Sequence, residues 1–246
     1  MKTYGLIGYP LGHSFSARYF ADKFTREQIA DCQYLNFPIE SIDQLPALLE
    51  HEKELQGFNV TIPYKQAVFA YLNDLSDEAR AIGAVNCVKI GPHGLKGFNT
   101  DAYGFSRSLL TLIGNQRPQA LVLGTGGASK AVGYVLKQLG ISYRLVSRQS
   151  GVDRLSYEEV TPELIQHTPL IINATPLGTF PKIEGYPAIP YEALGPHHFL
   201  FDLVYNPAVT EFLKRGAAQG AHTQNGYDML VGQAEKAWEI WNTPTL

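Results

Sequence analysis

A glycine-rich segment in the middle of the chain constrains the fold more than any other feature. An apolar run over residues 121–123 leads into glycines at 124, 126 and 127, and a second strand over residues 143–148 is expected one helix length later. The glycines let the backbone turn sharply and approach a phosphate closely, and a helix opening near Ala128 directs unpaired N–H groups at the anion. The order strand, turn, helix, strand predicts a dinucleotide pyrophosphate site; the alternative is an ordinary tight turn.

The residues that end the second strand discriminate between the two nicotinamide cofactors. An NAD site usually places Asp or Glu there to accept a hydrogen bond from the ribose 2′-hydroxyl, whereas a 2′-phosphate needs cationic and hydroxyl donors. This chain has Ser147, Arg148, Gln149 and Ser150. Because no acid is present and a guanidinium forks onto phosphate oxygens, we expect NADP as the cofactor. The alternative is that Arg148 is a solvated loop residue.

Composition and charge restrict the class of partner. The chain has 246 residues, 45% of them hydrophobic and 17% charged, which is typical of one large or two modest globular domains. A formal net charge of −3 leaves no electrostatic footprint for nucleic acid or an anionic membrane. We therefore expect a small-molecule substrate, with no nucleic-acid or membrane partner.

Targeting patterns and cysteine placement bear on the cellular location and on metal or redox chemistry. No apolar run approaches the roughly 20 residues of a membrane span, and the N-terminus lacks the pattern of a signal peptide, which predicts a cytoplasmic location. Cys32 and Cys87 stand alone in apolar segments. Neither is predicted to bind a metal or to be redox-active.

The first hundred residues alternate short apolar strands with helical stretches, which predicts an α/β domain with a mostly parallel sheet. Residues 91–98 predict a hairpin, and residues 99–101 can cap a helix over 102–112. We expect strands over 3–8, 32–38, 57–60 and 85–90, and helices over 16–29, 42–53, 65–72 and 77–82.

Beyond residue 119 the pattern predicts a second α/β domain, which contains the glycine-rich turn. Further strands are expected over 170–173 and 199–203, separated by a long loop rich in proline and glycine over 176–190. A final helix over 227–241 has an apolar stripe that needs a partner surface, and the N-terminal domain can provide it. The stripe consists of Leu230, Ala234, Trp238 and Trp241.

Four polar clusters outside the nucleotide unit are candidates for chemistry, and two of them lie in the first 65 residues. Ser14 and Ser16 project to the same side of an extended stretch, so two hydroxyls can face one polyhydroxy ligand; the alternative is that Ser16 only caps the next helix. Asn59, Thr61 and Lys65 follow the carboxyl end of a strand, where open α/β sheets bind ligands. An exposed lysine with no function is the alternative for Lys65.

The other two clusters lie later in the chain. Asn86 precedes the hairpin, and Asp101 follows it either as a plain helix N-cap or as a functional carboxylate. Gln233 flanks the apolar stripe of the final helix and can aim its amide into a cleft. A glutamine on the helix surface is the simpler alternative.

Taken together, these segments resemble the shikimate dehydrogenase family over nearly the whole chain and in the same order. Residues 13–16 match its HSxS segment, 59–65 its NVTxPxK segment, 99–104 its NTDxxG segment and 124–131 its GxGGAxxA turn. Residues 173–178, 202–207 and 225–233 match as well. Several segments in the right order are far more specific than any single motif.

The resemblance implies a two-domain α/β fold with the active site in the cleft between the domains. A substrate-binding and catalytic domain would comprise residues 1–101 with 226–246, and a Rossmann-like NADP-binding domain would comprise 102–225. The implied reaction is the reversible NADPH-dependent reduction of 3-dehydroshikimate to shikimate, a step of chorismate and aromatic amino acid biosynthesis. A monomer or homodimer without a metal is implied.

Carried over position by position, the resemblance assigns three groups of residues. Lys65 and Asp101 would form the catalytic pair. The substrate would be bound by Ser14, Ser16, Asn59, Thr61, Asn86, Tyr205 and Gln233. The cofactor would be bound by Gly124, Gly126, Gly127, Ala128, Ser129, Ser147, Arg148, Thr175, Leu203 and Gly226.

These residue types suit the implied chemistry. Hydride arriving at a ketone carbon builds negative charge on the oxygen, so a cation with a transferable proton lowers the barrier. Lys65 fits that role, and a neighbouring Asp101 would keep it protonated and oriented. Two alternatives stay open: a broader quinate/shikimate dehydrogenase that also uses NAD, and a non-catalytic ligand sensor on the same scaffold.

Overall fold

The computed structural model describes residues 1–12 and 15–244. The chain divides into two compact units, of which unit 1 comprises Met1–Thr100 with Gln233–Leu246 and unit 2 comprises Asp101–Gly232. Unit 1 is therefore made from two separate segments of chain, whereas unit 2 is one continuous segment. In the described ranges, no helix is long and apolar enough to cross a membrane.

Unit 1 contains a six-stranded sheet with helices between its strands. In chain order its elements are β1 (Lys2–Gly8), α1 (Phe15–Arg26), β2 (Cys32–Pro38), α2 (Leu45–His51), β3 (Leu55–Val60), β4 (Asp74–Leu75), α3 (Asp77–Ile82), β5 (Cys87–Gly91) and β6 (Gly94–Phe98). The strand order is β2-β1-β3-β5-β6-β4. Most neighbours are parallel, but β5 runs antiparallel to both β3 and β6.

The predicted hairpin is confirmed as β5–β6, with Gly91 paired to Gly94. Gly94 has a φ of +100°, and a Cβ there would lie 2.1 Å from Asn73 Oδ1. The same oxygen accepts a hydrogen bond from the Leu95 N–H at 2.8 Å. The turn therefore requires glycine both for its backbone angle and for the approach of Asn73.

The helix predicted over residues 65–72 is wrong. Residues 62–66 form turns, and only a 3₁₀ helix follows over Ala67–Tyr71. The reason is that the Lys65 carbonyl accepts a hydrogen bond from the Val85 N–H at 2.8 Å. The Phe69 N–H, which would donate to the Lys65 carbonyl in an α-helix, donates instead to the Gln66 carbonyl oxygen at 3.2 Å, which is a 3₁₀ hydrogen bond.

Two predicted helix starts were displaced. The helix predicted over 42–53 is a 3₁₀ turn over Ile42–Gln44 followed by α2, which has a proline in its first turn. The helix predicted over 102–112 begins earlier, as α4 (Thr100–Ile113). Asp101 is thus a residue of the first helical turn and not the N-cap.

Unit 2 is built around a second six-stranded sheet in which all neighbouring strands are parallel. After α4 come β7 (Ala120–Leu123), α5 (Gly127–Gln138), β8 (Tyr143–Ser147), β9 (Arg154–Ser156), α6 (Pro162–Gln166), β10 (Leu170–Asn173), β11 (Phe199–Asp202), α7 (Glu211–Ala218), β12 (His222–Gln224) and α8 (Tyr227–Asn242). The elements β4, β9, β12, α6 and α7 were not predicted from the sequence.

The strand order of the second sheet is β12-β11-β10-β7-β8-β9. Counted from β7, this is the order 3-2-1-4-5-6 of dinucleotide-binding folds. The predicted two-domain α/β architecture with a Rossmann-like sheet is confirmed. The crossover from β8 to β9 is unusual, because residues 148–153 contain no helix, whereas parallel strands are usually joined by roughly a dozen residues or more.

The final helix supplies part of the core of unit 1. Ala234, Ala237 and Trp241 are buried in a cluster that also contains Tyr4 and Phe20. The Trp241 ring stacks on Tyr4 with centroids 4.9 Å apart, and its Nε1 donates to the Val88 carbonyl oxygen at 3.0 Å. The predicted partner surface for the apolar stripe is therefore the N-terminal sheet and α1.

Candidate functional site

A cavity of about 520 Å³ opens where β7, β8 and β10 end in unit 2. The strand order reverses at this place, which is where open α/β sheets bind dinucleotides. Five of the predicted cofactor residues line the cavity, namely Gly124, Gly126, Ser147, Arg148 and Thr175. The remaining lining residues were not predicted from the sequence, and they are Thr125, Tyr157, Ala174, Pro176 and Leu177.

The glycine-rich turn leaves the backbone at this cavity uncovered. Gly124 has a φ of +107°, and a Cβ there would lie 3.0 Å from the Thr175 methyl carbon. Gly126 is the N-cap of α5 and Gly127 is its first residue, and a Cβ on either would meet nothing within 4 Å. The N-terminus of α5 is therefore accessible, and its free N–H groups suit an anion.

Ala128 and Ser129 complete the first turn of α5. Ser129 is 5% exposed, and its Oγ donates to the Gly126 carbonyl oxygen at 2.6 Å. This hydrogen bond stabilises the turn itself. The structure therefore gives Ser129 a role in shaping the anion site and does not place it or Ala128 among the residues that line the cavity.

The end of β8 presents an arginine to the cavity. Ser147 Oγ donates to the Gln149 carbonyl oxygen at 2.5 Å, and the Gln149 N–H donates back to Ser147 Oγ at 3.3 Å. Arg148 stands between them, exposed and lining the cavity. None of the described residues that line the cavity is acidic. A guanidinium at this strand end without a competing carboxylate suits a 2′-phosphate.

The chain after β10 bends around an asparagine side chain. Asn173 Oδ1 accepts hydrogen bonds from the Thr175 N–H at 3.0 Å and from Thr175 Oγ1 at 2.6 Å. This is the local side-chain-to-backbone turn that asparagine favours. It holds Thr175, and with it the segment that reaches Leu177, against the cavity.

The last two predicted cofactor residues lie together beside β11. The Leu203 N–H donates to the Asn173 carbonyl oxygen at 2.9 Å, and the Gly226 N–H donates to the Val204 carbonyl oxygen at 3.1 Å. A Cβ on Gly226 would lie 2.2 Å from the Leu203 carbonyl oxygen, so only glycine fits there. Leu203 and Gly226 do not line the cavity at the ends of β7, β8 and β10.

In unit 1 a buried polar network connects several of the predicted substrate residues. Asn59 Nδ2 donates to the Asn86 carbonyl oxygen at 3.1 Å. Asn86 Nδ2 donates to Thr100 Oγ1 at 3.0 Å, while Asn86 Oδ1 accepts from the Thr100 N–H at 2.7 Å. Thr100 Oγ1 in turn lies 3.5 Å from Gln233 Oε1. These four residues are each at most 6% exposed, so their side chains are fixed by one another.

Tyr34 extends this network to α1. Its hydroxyl donates to Asn59 Oδ1 at 2.9 Å and is hydrogen-bonded by the Ser16 side chain. Burial raises the pKa of Tyr34 well above its usual value, so the hydroxyl stays a neutral donor. Tyr34 was not predicted from the sequence, because an aromatic residue on a buried strand resembles any core residue. Ser14, predicted beside Ser16, lies outside the described residues.

Lys65 and Asp101, the two predicted catalytic residues, are both close to this network along the backbone. The Lys65 carbonyl oxygen accepts a hydrogen bond from the Val85 N–H, and Val85 immediately precedes Asn86. Asp101 immediately follows Thr100 in the first turn of α4. Both residues are half-buried.

Two further predicted substrate residues occupy separate places. The Thr61 N–H donates to the Ile7 carbonyl oxygen at 2.9 Å, and its methyl carbon would lie 2.4 Å from a Cβ on Gly8, so glycine is needed at that position. Tyr205 follows β11 in unit 2 and is half-buried, and burial raises the pKa of its phenol. The unit 1 network includes neither of them among its described hydrogen bonds.

The chain is similar to known proteins over nearly its whole length. A family model of the shikimate dehydrogenase substrate-binding domain matches residues 6–88. The shikimate dehydrogenase (NADP(+)) of Clostridium beijerinckii is 40% identical, and the match covers 98% of this chain and 92% of that protein. It extends the likeness from the substrate-binding domain to the rest of the chain.

Solved structures agree with this match. The shikimate 5-dehydrogenase of Thermus thermophilus in complex with NADP(H) and shikimate has a TM-score of 0.86 at 31% identity, and the superposition covers 98% of this chain and 94% of that chain. The quinate dehydrogenase of Corynebacterium glutamicum in complex with NAD has a TM-score of 0.87 at 28% identity, with 98% and 93% covered. On the near-complete match to a relative that is 40% identical, this chain belongs to the shikimate dehydrogenase family.

Proposed function

We propose that this protein is an NADP-dependent shikimate dehydrogenase, which reversibly reduces 3-dehydroshikimate to shikimate within chorismate and aromatic amino acid biosynthesis. The observation that carries the proposal is the match at 40% identity to a shikimate dehydrogenase (NADP(+)) over 98% of this chain. The cavity at the ends of β7, β8 and β10, with an arginine and no acidic residue in its described lining, supports NADP as the cofactor.

The proposed cofactor site lies in unit 2. NADPH supplies the hydride when it is bound, and the chain holds and orients it. The open N-terminus of α5 suits the pyrophosphate, and Arg148 beside Ser147 suits the 2′-phosphate. The proposed set is Gly124, Gly126, Gly127, Ala128, Ser129, Ser147, Arg148, Thr175, Leu203 and Gly226.

The proposed substrate site uses polar side chains of the amide and hydroxyl type. Such groups both donate and accept, which matches the hydroxyls and carboxylate of a cyclic acid. Their mutual hydrogen bonds in unit 1 support the proposal, because a site whose side chains are already oriented loses less entropy on binding. The proposed set is Ser14, Ser16, Asn59, Thr61, Asn86, Tyr205 and Gln233.

Lys65 and Asp101 are proposed as the catalytic pair. As hydride reaches the ketone carbon, the lysine ammonium donates a proton to the oxygen on which charge develops. The carboxylate of Asp101 is proposed to orient the lysine. In the direction of shikimate oxidation the pair accepts the proton of the alcohol.

We propose that residues 1–101 with 226–246 form the catalytic domain and residues 102–225 the NADP-binding domain. Shikimate and 3-dehydroshikimate are the proposed small-molecule partners of a cytoplasmic monomer or homodimer. The family membership and a net charge of −3 support a partner that is neither nucleic acid nor membrane.

The decisive experiment is an assay of purified protein with shikimate or quinate, each with NADP⁺ or NAD⁺. Formation of the reduced nicotinamide is followed by its near-ultraviolet absorbance. We expect turnover with shikimate and NADP⁺, and turnover at least about tenfold slower in the other three combinations. An Arg148→Gln variant should lose part of its preference for NADP⁺ over NAD⁺, since it removes the cation expected at the 2′-phosphate.

Other results of this assay would replace the proposal. Comparable turnover of quinate, or comparable use of NAD⁺, would make the protein a quinate/shikimate dehydrogenase of broad use. Binding of shikimate without turnover under any combination would make it a ligand sensor.

A further inference from the structure

One buried carboxylate in unit 2 has no place in the proposed binding or catalytic sets. Asp202 ends β11, is 0% exposed, and is paired in register with Asn173 on β10. Its Oδ1 accepts from Asn173 Nδ2 at 2.9 Å and from the Val204 N–H at 3.0 Å. Its Oδ2 accepts from Thr210 Oγ1 at 2.6 Å. One side chain therefore contacts three separate stretches of chain.

The first of these stretches, after β10, borders the cofactor cavity. Asn173 is the residue whose Oδ1 holds the N–H and the hydroxyl of Thr175, and Thr175 and Leu177 line the cavity. Asp202 thus fixes the amide of Asn173 through Nδ2, and Asn173 fixes Thr175 through Oδ1. Because an asparagine amide presents donors on one side and an acceptor on the other, the carboxylate sets which way round the amide lies.

The second stretch follows β11. Asp202 Oδ1 holds the Val204 N–H, and the Val204 carbonyl accepts from the Gly226 N–H. Leu203, between them, donates its N–H to the Asn173 carbonyl. The carboxylate therefore ties the segment with Thr175 to the segment with Leu203 and Gly226, all of which belong to the proposed cofactor set.

We propose that Asp202 is a positioning residue for the cofactor, which acts without touching it by holding the Asn173–Leu177 and Leu203–Tyr205 segments in their binding conformation. This inference rests on the proposed function only for the identity of the cofactor. The carboxylate is suited to the task because a charged acceptor strengthens each hydrogen bond it receives and offers more acceptor sites than an amide oxygen. The third contact, to Thr210, joins the same centre to the N-cap of α7.

The test uses two variants of Asp202 and one matched control. Asp202→Leu has a similar size and removes all three acceptor contacts. Asp202→Asn keeps an oxygen for Asn173 and Val204 but loses the charge. Leu213→Ala, in the core of unit 2 on α7, lowers thermal stability without altering any polar contact of Asp202.

The first readout needs no cofactor. Hydrogen–deuterium exchange of the ligand-free protein should be faster over residues 173–177 and 203–206 in Asp202→Leu, and to a lesser extent in Asp202→Asn, because the N–H groups of Thr175 and Val204 lose fixed acceptors. Leu213→Ala should leave exchange in these two segments as in the unchanged protein. Unaltered exchange in both Asp202 variants would overturn the proposal, even if the protein were to bind no nicotinamide nucleotide.

The second readout is binding and kinetics. NADP⁺ should bind about tenfold or more weakly to Asp202→Leu and about threefold more weakly to Asp202→Asn, with KM for NADP⁺ raised by a larger factor than KM for shikimate. Leu213→Ala should bind NADP⁺ normally at a comparable fall in Tm. If Asp202→Leu does not fold, Asp202→Asn decides alone. Unchanged NADP⁺ affinity in Asp202→Asn, or an equal loss in Leu213→Ala, would refute the positioning role, whereas no NADP⁺ binding by the unchanged protein would refute the proposed function instead.

Discussion

The two units hold their candidate binding residues with chemically different polar networks. In unit 1 the network of Asn59, Asn86 and Thr100 consists of amides and hydroxyls, and the pKa of the adjoining Tyr34 lies so high that its phenol stays neutral. In unit 2 the network centres on Asp202, whose pKa burial raises to about 6. The neutral network keeps its protonation state across the physiological pH range, whereas the Asp202 carboxylate titrates just below that range.

The difference follows from what each network has to connect. In unit 1 the Asn59 amide joins Tyr34 to Asn86, and both ends of the Asn86 amide bind Thr100, so a neutral amide supplies the acceptor and the donor that each position needs. In unit 2 three donors from different stretches of chain converge on one side chain. An ionised carboxylate accepts all three at once, so the unit 2 network contains a charged group, whereas the unit 1 network of amides and hydroxyls does not.

The largest effect is expected on turnover, from a substitution of the proposed catalytic lysine near the neutral network. Lys65→Ala should lower kcat for shikimate oxidation by about 10²–10⁴-fold, because it removes the group that exchanges the proton. Steady-state kinetics measure this, with Lys53→Ala as a control at an exposed lysine of the same unit. Near-normal turnover by the Lys65 variant would mean that the proton is handled elsewhere.

The centre of the neutral network should matter most for stability. Asn86→Ala leaves the Thr100 N–H without its acceptor and Thr100 Oγ1 without its donor, so we expect the free energy of unfolding to fall by about 4 kcal/mol. Denaturant unfolding measures the change. Asn36→Ala, on the exposed side of β2, is the matched control and should change it by less than about 0.5 kcal/mol. Equal effects of the two substitutions would contradict the network.

The contrast between the units should appear directly in the pH dependence of stability. The pKa of Asp202 is raised in the folded state, so the folded protein binds this proton more tightly than the unfolded chain does. The contribution of this proton to the free energy of unfolding is complete below about pH 4 and is lost as pH rises through about 6. A shift of about two pKa units corresponds to about 3 kcal/mol of this free energy.

Other carboxylates also change the free energy of unfolding with pH, so the effect of Asp202 is measured by comparing the unchanged protein with a variant that lacks this carboxylate. The free energy of unfolding of the unchanged protein minus that of Asp202→Asn should fall by about 3 kcal/mol between pH 4 and pH 7. The same difference for Asn86→Ala should stay level, since Asn59, Asn86 and Thr100 carry no titratable side chain. A level line for Asp202 as well would remove the distinction between the two networks.

A smaller effect is expected where the neutral network meets α1. Tyr34→Phe removes the donor to Asn59 Oδ1 and should lower the free energy of unfolding by about 1–2 kcal/mol at every pH from 5 to 8. Thermal unfolding across that range checks it. A loss that varied with pH would show that the tyrosine takes part in a titrating system.

The smallest effect is expected in the opposite direction. Tyr157 lines the cofactor cavity, and among the described residues its hydroxyl is the buried side-chain group that has no hydrogen-bond partner. Tyr157→Phe removes this unpaired group and should raise the free energy of unfolding of the ligand-free protein by about 1 kcal/mol. A decrease measured by thermal unfolding would show that the hydroxyl is satisfied in solution.

Sequence patterns were most informative where local chemistry decides the structure. The glycines at 124 and 126 and the apolar runs around them predicted the turn into α5, and the glycines of the β5–β6 turn predicted the hairpin. Contacts between residues that are distant in the sequence could not be predicted from such local patterns. The Lys65 carbonyl is taken by Val85, and no local pattern shows that this contact replaces a helix.

The same reason separates predicted from unpredicted site residues. Arg148 follows a strand next to a glycine-rich turn, so its place at the cavity was predicted. Tyr34 and Asp202 act through residues on neighbouring strands, and only the register that pairs Asn173 with Asp202 brings the second network together. A charged residue at the end of an otherwise apolar strand, such as 199–202, was the one signal available for it.

Because unit 1 is made of two separate segments of chain, it cannot fold completely until the second segment has been synthesised. Trp241 and Ala237 complete a core whose other members, such as Tyr4 and Phe20, lie in the first part of the chain. On the ribosome those first residues emerge without the helix that covers them, while unit 2, one uninterrupted segment, emerges with all its strands. The part made first is therefore completed only after unit 2, because its aromatic surface stays uncovered until α8 has been synthesised.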